Sequence, residues 1–195
     1  MPRPLIPERG RRILDAAEEL VLEHGFDAMS VQRIAERVGI AKGAVYREFA
    51  SKNDIIDAVL RRASERMTLA AQELLGNEEH PPLSRAFAVS ARVLLDDPLM
   101  TAAFLDDRSV LGSYLDSVTD DRFRLRHRTV VDRITALRRR GAFVREVDPE
   151  GLALALSSTT LGLLHAARHL GPVTPDQLRS AIESMADLLA VYETT

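Results

Sequence analysis

Apolar side chains recur along this chain at intervals of three and four residues, the repeat of a helix with one buried face. Between Glu8 and His24 they fall at Ile13, Ala17, Leu20 and Val21, and Gly25 is expected to end that helix as a left-handed cap. Ser30 then suits the N-cap of a short helix carrying Val31, Ile34, Ala35 and Val38. Gly39 breaks that helix. A third, over about 41–49, turns Val45 and Phe49 inward. Ser51 and Asp54 stand at capping spacing before a long fourth helix that ends near Gly76.

The polar stretch from Asn77 to Pro82 reads as a linker. Helices follow at about 83–95 and 98–107, then a less regular stretch through Gly112. A long amphipathic helix runs over about 120–140 and stops at Gly141. Asp148-Pro149-Glu150 opens the next helix, which Gly171 closes. Thr174-Pro175-Asp176-Gln177 opens the last with a capping box. About nine helices and no strand-like alternation predict an all-α protein.

Composition narrows the function. With 46% apolar residues in 195, the chain can bury a sizeable core. It has no cysteine, which excludes thiol catalysis, disulfides and cysteine-held metals. No apolar run reaches the length of a membrane span, and the start carries no apolar signal core. A cytoplasmic protein without membrane contact is expected. Phosphate-binding, dinucleotide-binding and hydrolase-nucleophile motifs are absent, so no enzyme is expected.

Two short helices hinged at Gly39-Ile40 form the pattern of a helix-turn-helix, whose second helix fits the major groove. Ile34, Ala35, Ile40, Val45 and Phe49 would make the buried hinge. Lys42, Gly43, Ala44, Tyr46 and Arg47 would lie outward. Of 26 basic residues only Lys42 and Lys52 are lysines, and they sit within eleven positions of each other. A lysine is a flexible point charge where an arginine is a planar fork.

The segment from Ile34 to Lys52, IAERVGIAKGAVYREFASK, resembles the DNA-binding signature of the tetracycline-repressor (TetR) family. Ile13 to Ala17 and the Gly25-Phe26 break fit the same pattern. The resemblance implies a tail over 1–7 and a three-helix DNA-binding domain over 8–67, with the helix-turn-helix at about 30–49. A helical ligand-binding and dimerisation domain would cover 68–195. It further implies that Tyr46 and Lys52 hold backbone phosphates. Ser30 would cap the second helix and touch the DNA backbone, and Gln32 would face a base or phosphate. Lys42, Gly43 and Ala44 would read bases, with Arg47 beside them. The chain departs from the family at Ala41, where serine is common, and at Glu48, where histidine is frequent. An acid at Glu48 would repel nearby phosphates or would have to pair with Arg47. Residues 1–66 carry a net charge of +1 and 67–195 a net −4. Arg3, Arg9, Arg11 and Arg12 would add contacts ahead of the first helix.

In the last helix Leu178, Ile182, Met185, Leu189 and Tyr192 form a heptad seam, and the helix before it carries leucines around most of its circumference. Both features suit a homodimer interface. Phe123 and His127 share a face of the long helix, and with Phe87, Met100, Phe104, Tyr114 and His165 they would line a ligand pocket. His165 and His169 stand four apart without an intervening glutamate, so a pocket or interface role is expected in place of a metal site. The resulting expectation is a homodimeric, sequence-specific DNA-binding regulator, released from a palindromic operator by an unidentified small-molecule effector. No metal or obligatory cofactor is expected. The alternative is a helical small-molecule-binding protein, or an activator, whose N-terminal helices are no repressor module.

Overall fold

The computed structural model describes residues 8–76, 78, 80–117, 122–170 and 173–194. They form eleven helices: α1 (Arg9–Ala28), α2 (Val31–Val38), α3 (Lys42–Tyr46), α4 (Lys52–Leu75), α5 (Leu83–Leu95), α6 (Pro98–Phe104), α7 (Arg108–Leu111), α8 (Tyr114–Ser117), α9 (Arg122–Arg139), α10 (Pro149–His169) and α11 (Pro175–Ala190). Among the described residues the one β feature is an isolated antiparallel bridge between Phe143 and Glu193. The two helices beyond the expected nine are the four-residue α7 and α8. They are too short to print a helical repeat on the sequence.

The chain forms two compact units. The first contains Met1–Arg66 and Asp97–Val118, the second Met67–Asp96 and Thr119–Thr195. The first is thus assembled from two separate stretches of sequence.

In the first unit the apolar face of α1 (Ile13, Ala17, Leu20, Val21) meets Ile34 and Ala35 of α2, Val45 of α3, and Ile55, Ile56 and Val59 of α4. Leu99, Leu111 and Tyr114 complete the same core from the later stretch. Burying an aliphatic side chain of this size stabilises by about 1.5–3 kcal/mol. Ion pairs bind the outer faces. Arg62 of α4 reaches Asp15 at 2.6 Å and Glu18 at 2.7 Å on α1. Arg66 reaches Glu18 at 2.8 Å and the buried Asp97 at 2.6 Å. Asp97 also caps α6, accepting from the Met100 N–H.

Gly25 does interrupt α1, but not as a left-handed cap. Its φ of 78° and ψ of 160° lie in a region open to glycine alone, and the helix resumes to Ala28. The backbone here passes so close to α7 that a Cβ on Gly25 would sit 2.6 Å from the Ser109 carbonyl oxygen.

In the second unit Leu83, Phe87 and Ala91 of α5 pack with Ile134 and Leu137 of α9, Ala153 and Leu156 of α10, and Ile182 and Leu189 of α11. The Glu193 carboxylate accepts hydrogen bonds from the backbone of Leu83 and Ser84 and from the Ser84 hydroxyl. That puts an anion at the positive end of α5. Thr174 and Gln177 form the expected capping box on α11, and Asp148 caps α10. The heptad seam of α11 corrects an expectation. Ile182 is 1% exposed, Leu189 is buried and Met185 packs on the same core. Ile182, Met185 and Leu189 therefore pack within their own unit, with α5, whereas Tyr192 of the same seam is 47% exposed. Leu188 (61% exposed), Val191 and Tyr192 at the end of α11, and Leu154 on α10, remain uncovered.

Gly25→Ala forces a strained φ and a clash with fixed backbone. It is expected to destabilise the chain by about 2 kcal/mol or more, read as a lowered midpoint of thermal unfolding. An unchanged midpoint would mean that α7 yields at no cost.

Candidate nucleic-acid interface

The helix-turn-helix is built from local rules. Ser30 caps α2, its Oγ accepting from the Arg33 N–H at 3.2 Å. Gly39 ends α2 with φ 74° and ψ 35°, a left-handed conformation that glycine adopts without penalty. The Ile40 N–H then bonds the Ala35 carbonyl at 2.9 Å, closing the turn. Arg37 pairs with Glu23 at 2.8 Å and Glu19 at 3.3 Å, fixing α2 across α1. The Glu23 carboxyl is held below its ordinary range, first by the hydrogen bond from Arg37. Arg12 donates to the Val38 carbonyl at the end of α2.

The recognition segment follows. Ala41 precedes α3 without a side-chain cap, which matches its departure from serine. Lys42, Gly43, Tyr46 and Arg47 are exposed, Tyr46 by 49%. Ala44 is not, at 6%. This corrects the outward position expected for it: on a five-residue helix it shares the inward edge with Val45. A Cβ placed on Gly43 would meet nothing within 4 Å, so folding does not demand glycine there. The Lys42 ammonium lies 5.9 Å from the Tyr46 ring centre. Gln32 is exposed on α2, donating to Glu36 at 2.7 Å. Of the two outcomes open for Glu48, repulsion or a pair with Arg47, neither is seen: it pairs with Arg9 of α1, whose Nε donates to it at 2.8 Å. The start of α1 brings Arg9 alongside, a neighbour that spacing along α3 cannot reveal.

Lys52 opens α4, which Ser51 caps by accepting from the Asp54 N–H at 3.0 Å. Its ammonium sits 3.9 Å over the Phe26 ring and donates to the Asp27 carbonyl at 3.4 Å. Burial pulls the Lys52 ammonium below its usual range, against the attraction of the Asp27 carboxylate. That carboxylate accepts from the Ser113 hydroxyl and from its N–H at 3.1 Å. Both bonds, the hydroxyl's first, hold the Asp27 carboxyl below the usual range. Phe26, Asp27 and Ser113 were not singled out as site residues from the sequence. Gly25-Phe26 carried a faint local signal. Ser113, 86 positions from Asp27, carried none.

The residues expected to line a ligand pocket divide between the two units. Met100, Phe104 and Tyr114 belong to the first, where Tyr114 donates to Asp57 and its ring lies 5.5 Å from that of Phe26. Phe87, His127 and His165 belong to the second. Phe87 lies in the core there, His127 stands 3.6 Å from Glu150 and His165 is exposed. The side chains of Phe123 and His169, and the tail with Arg3, lie outside the described residues. Among the described residues, no cluster of three or more metal-ligating side chains occurs, and no helix is long and apolar enough to cross a membrane.

Residues 13–59 match the model of the tetR family of bacterial regulatory proteins. These residues, α1 through the first turns of α4, thus carry a TetR-type N-terminal segment. The repressor KstR of Rhodococcus jostii is 32% identical over 96 residues, spanning 49% of this chain and 45% of that protein. KstR2 of Mycobacterium tuberculosis is 24% identical over 176 residues, covering 89% and 88%. The chain thus spans about half the length of KstR but most of KstR2. A crystal structure of a TetR-family regulator from Rhodococcus sp. superposes with a TM-score of 0.69 at 19% identity, over 94% of this chain and 99% of that one. The SmeT–triclosan complex gives 0.64 at 23%, over 95% and 91%. At these identities the structural likeness establishes a shared TetR-type fold along nearly the whole chain.

Because Asp27 titrates below the ordinary carboxylate range, it contributes stability above about pH 4 that is lost as the pH falls through its lower folded value. Asp27→Asn is therefore expected to lower the thermal midpoint at neutral pH and to shrink its fall on acidification. A parallel acid profile for wild type and variant would refute the assignment.

Proposed function

We propose that this chain is a TetR-family, sequence-specific, DNA-binding transcriptional repressor that acts in the cytoplasm as a homodimer on a palindromic operator and is released by a small-molecule effector. The observation that carries the reading is the presentation of α3. Lys42, Gly43, Tyr46 and Arg47 stand exposed on a short helix whose supports, α1 and α2, are locked by buried contacts and by the Arg37 pairs. A helix presented in this way fits the major groove. The unconstrained Gly43 supports it further: glycine there lets the backbone approach a base edge, and the fold has no other use for it. Lys52 and Tyr46 take phosphates, Lys42 reads a base or phosphate, and Ser30 and Gln32 flank them from α2.

The relatives named as repressors support the direction of regulation, and the complex of a structural neighbour with triclosan supports small molecules as effectors. The effector seat is assigned to the second unit, near Phe87 and His127. An effector acts by binding more tightly to the conformation with low operator affinity. The dimer is assigned to the uncovered apolar surface of α10 and α11, which carries Leu154, Leu188, Val191 and Tyr192. A closed two-fold dimer sets half-sites about one DNA turn, roughly 34 Å, or a multiple of it apart.

Selection of bound duplexes from a random-sequence pool is expected to enrich an inverted repeat bound by one or two dimers. On that duplex Lys52→Ala weakens binding and lowers the salt slope by about one. Failure to enrich any duplex would overturn the reading. In sedimentation, Leu188→Glu is expected to shift the chain toward monomer by tenfold or more while leaving it helical, since burying an unpaired charge is costly. A dimer unaffected by Leu188→Glu and by Leu154→Glu would exclude this surface.

A further inference from the structure

A cation at the first position of a helix faces the positive end of the helix dipole, and burial adds to the cost. Lys52 occupies such a position and is partly buried, yet it is held in place. The Phe26 ring lies beneath its ammonium and the Asp27 carbonyl accepts from it. The ring is itself fixed. Phe26 is buried, and Tyr114 packs on it at 5.5 Å between centroids while donating its hydroxyl to Asp57, one turn along α4 from Lys52. Ser113 anchors Asp27 from the same segment. Lys42, the other lysine, has a single aromatic neighbour at 5.9 Å and stands exposed.

An ammonium has three donors. One meets the Asp27 carbonyl and the ring takes up one side, so donor capacity remains on the open side for a phosphate oxygen. A free lysine must lose its rotamer entropy on contact. A lysine already seated on a ring loses less, so its contact is stronger. We propose that Phe26, backed by Tyr114 and flanked by Asp27, is a positioning residue that holds the Lys52 ammonium ready for a DNA phosphate without itself touching DNA. The inference rests on the reading of Lys52 as a phosphate ligand.

The two lysines make the seat directly observable. Selective isotope labelling of lysine in the full chain yields two side-chain signals, and Lys52→Ala assigns them. The ε-methylene protons of Lys52 are expected upfield of those of Lys42 through the ring current of Phe26. Equal shifts would overturn the seat.

The functional arm is a double-mutant cycle, read on the duplex selected by the wild-type chain. Phe26→Leu is expected to weaken binding about fivefold and to lower the salt slope by less than the full unit lost in Lys52→Ala. Phe26→Tyr, which keeps the ring, restores most of the affinity. In the Lys52→Ala background Phe26→Leu is expected to change nothing. Equal weakening in both backgrounds would assign Phe26 to the core alone and overturn the proposal. Should Phe26→Leu not fold, Tyr114→Phe, which only frees the backing ring from Asp57, enters the same cycle with an expected twofold effect. A selected duplex that binds equally well with Lys52→Ala overturns the role of Lys52 and this proposal with it. Absence of any selected duplex overturns the regulator reading itself.

Discussion

The close passage of the Gly25 backbone against the Ser109 carbonyl sets the geometry of the first unit. A side chain at that position would collide with main chain, so α1 and α7 can meet there only at glycine. The break that results turns Phe26 into the core and Asp27 outward onto Ser113. From there the chain enters α2 through Met29 and the Ser30 cap. The seat of Lys52 depends on the same turn, since its ring and its carbonyl are contributed by consecutive residues after Gly25.

The charge distribution makes sense once the pairs are placed. A head with a net charge of +1 looks poorly suited to a polyanion. Five of its eleven acids, however, are paired on the scaffold. Asp15 and Glu18 hold Arg62 and Arg66, Glu19 and Glu23 hold Arg37, and Glu48 holds Arg9. Exposed pairs of this kind contribute little stability individually. Each cancels an arginine along with its carboxylate, while Lys42 and Arg47 stay exposed and carry no ion pair among the described residues. The field at the recognition helix is thus more favourable than the sum of charges suggests.

In the second unit the same logic of pairing concerns apolar faces. Of the heptad seam of α11, Ile182, Met185 and Leu189 are covered within the unit, where α5 packs on them. What stays open is Tyr192 of that seam with Leu188 and Val191 beside it, and Leu154 on α10. Periodicity identifies a face that must be buried. It does not say whether the cover comes from the same chain or another.

Much was legible in the sequence because it depends on neighbours within a turn or two. Helix spacing, the caps at Ser30, Ser51, Asp148 and Thr174, and the turn at Gly39 all follow from local hydrogen bonding and from the freedom of glycine. The exposed members of the recognition helix were legible for the same reason. The rest belonged to tertiary structure. The inward edge of α3 that takes Ala44, the Arg9 partner of Glu48, the cover over the α11 seam and the joining of Asp97–Val118 to the first 66 residues all depend on which segments meet after folding. So does the seat of Lys52, whose supports include a serine 86 positions from Asp27. Local chemistry determines which face of a helix needs a partner, whereas the partner itself is chosen by the packing of the whole chain, where the entropy of closing long loops is offset by burial.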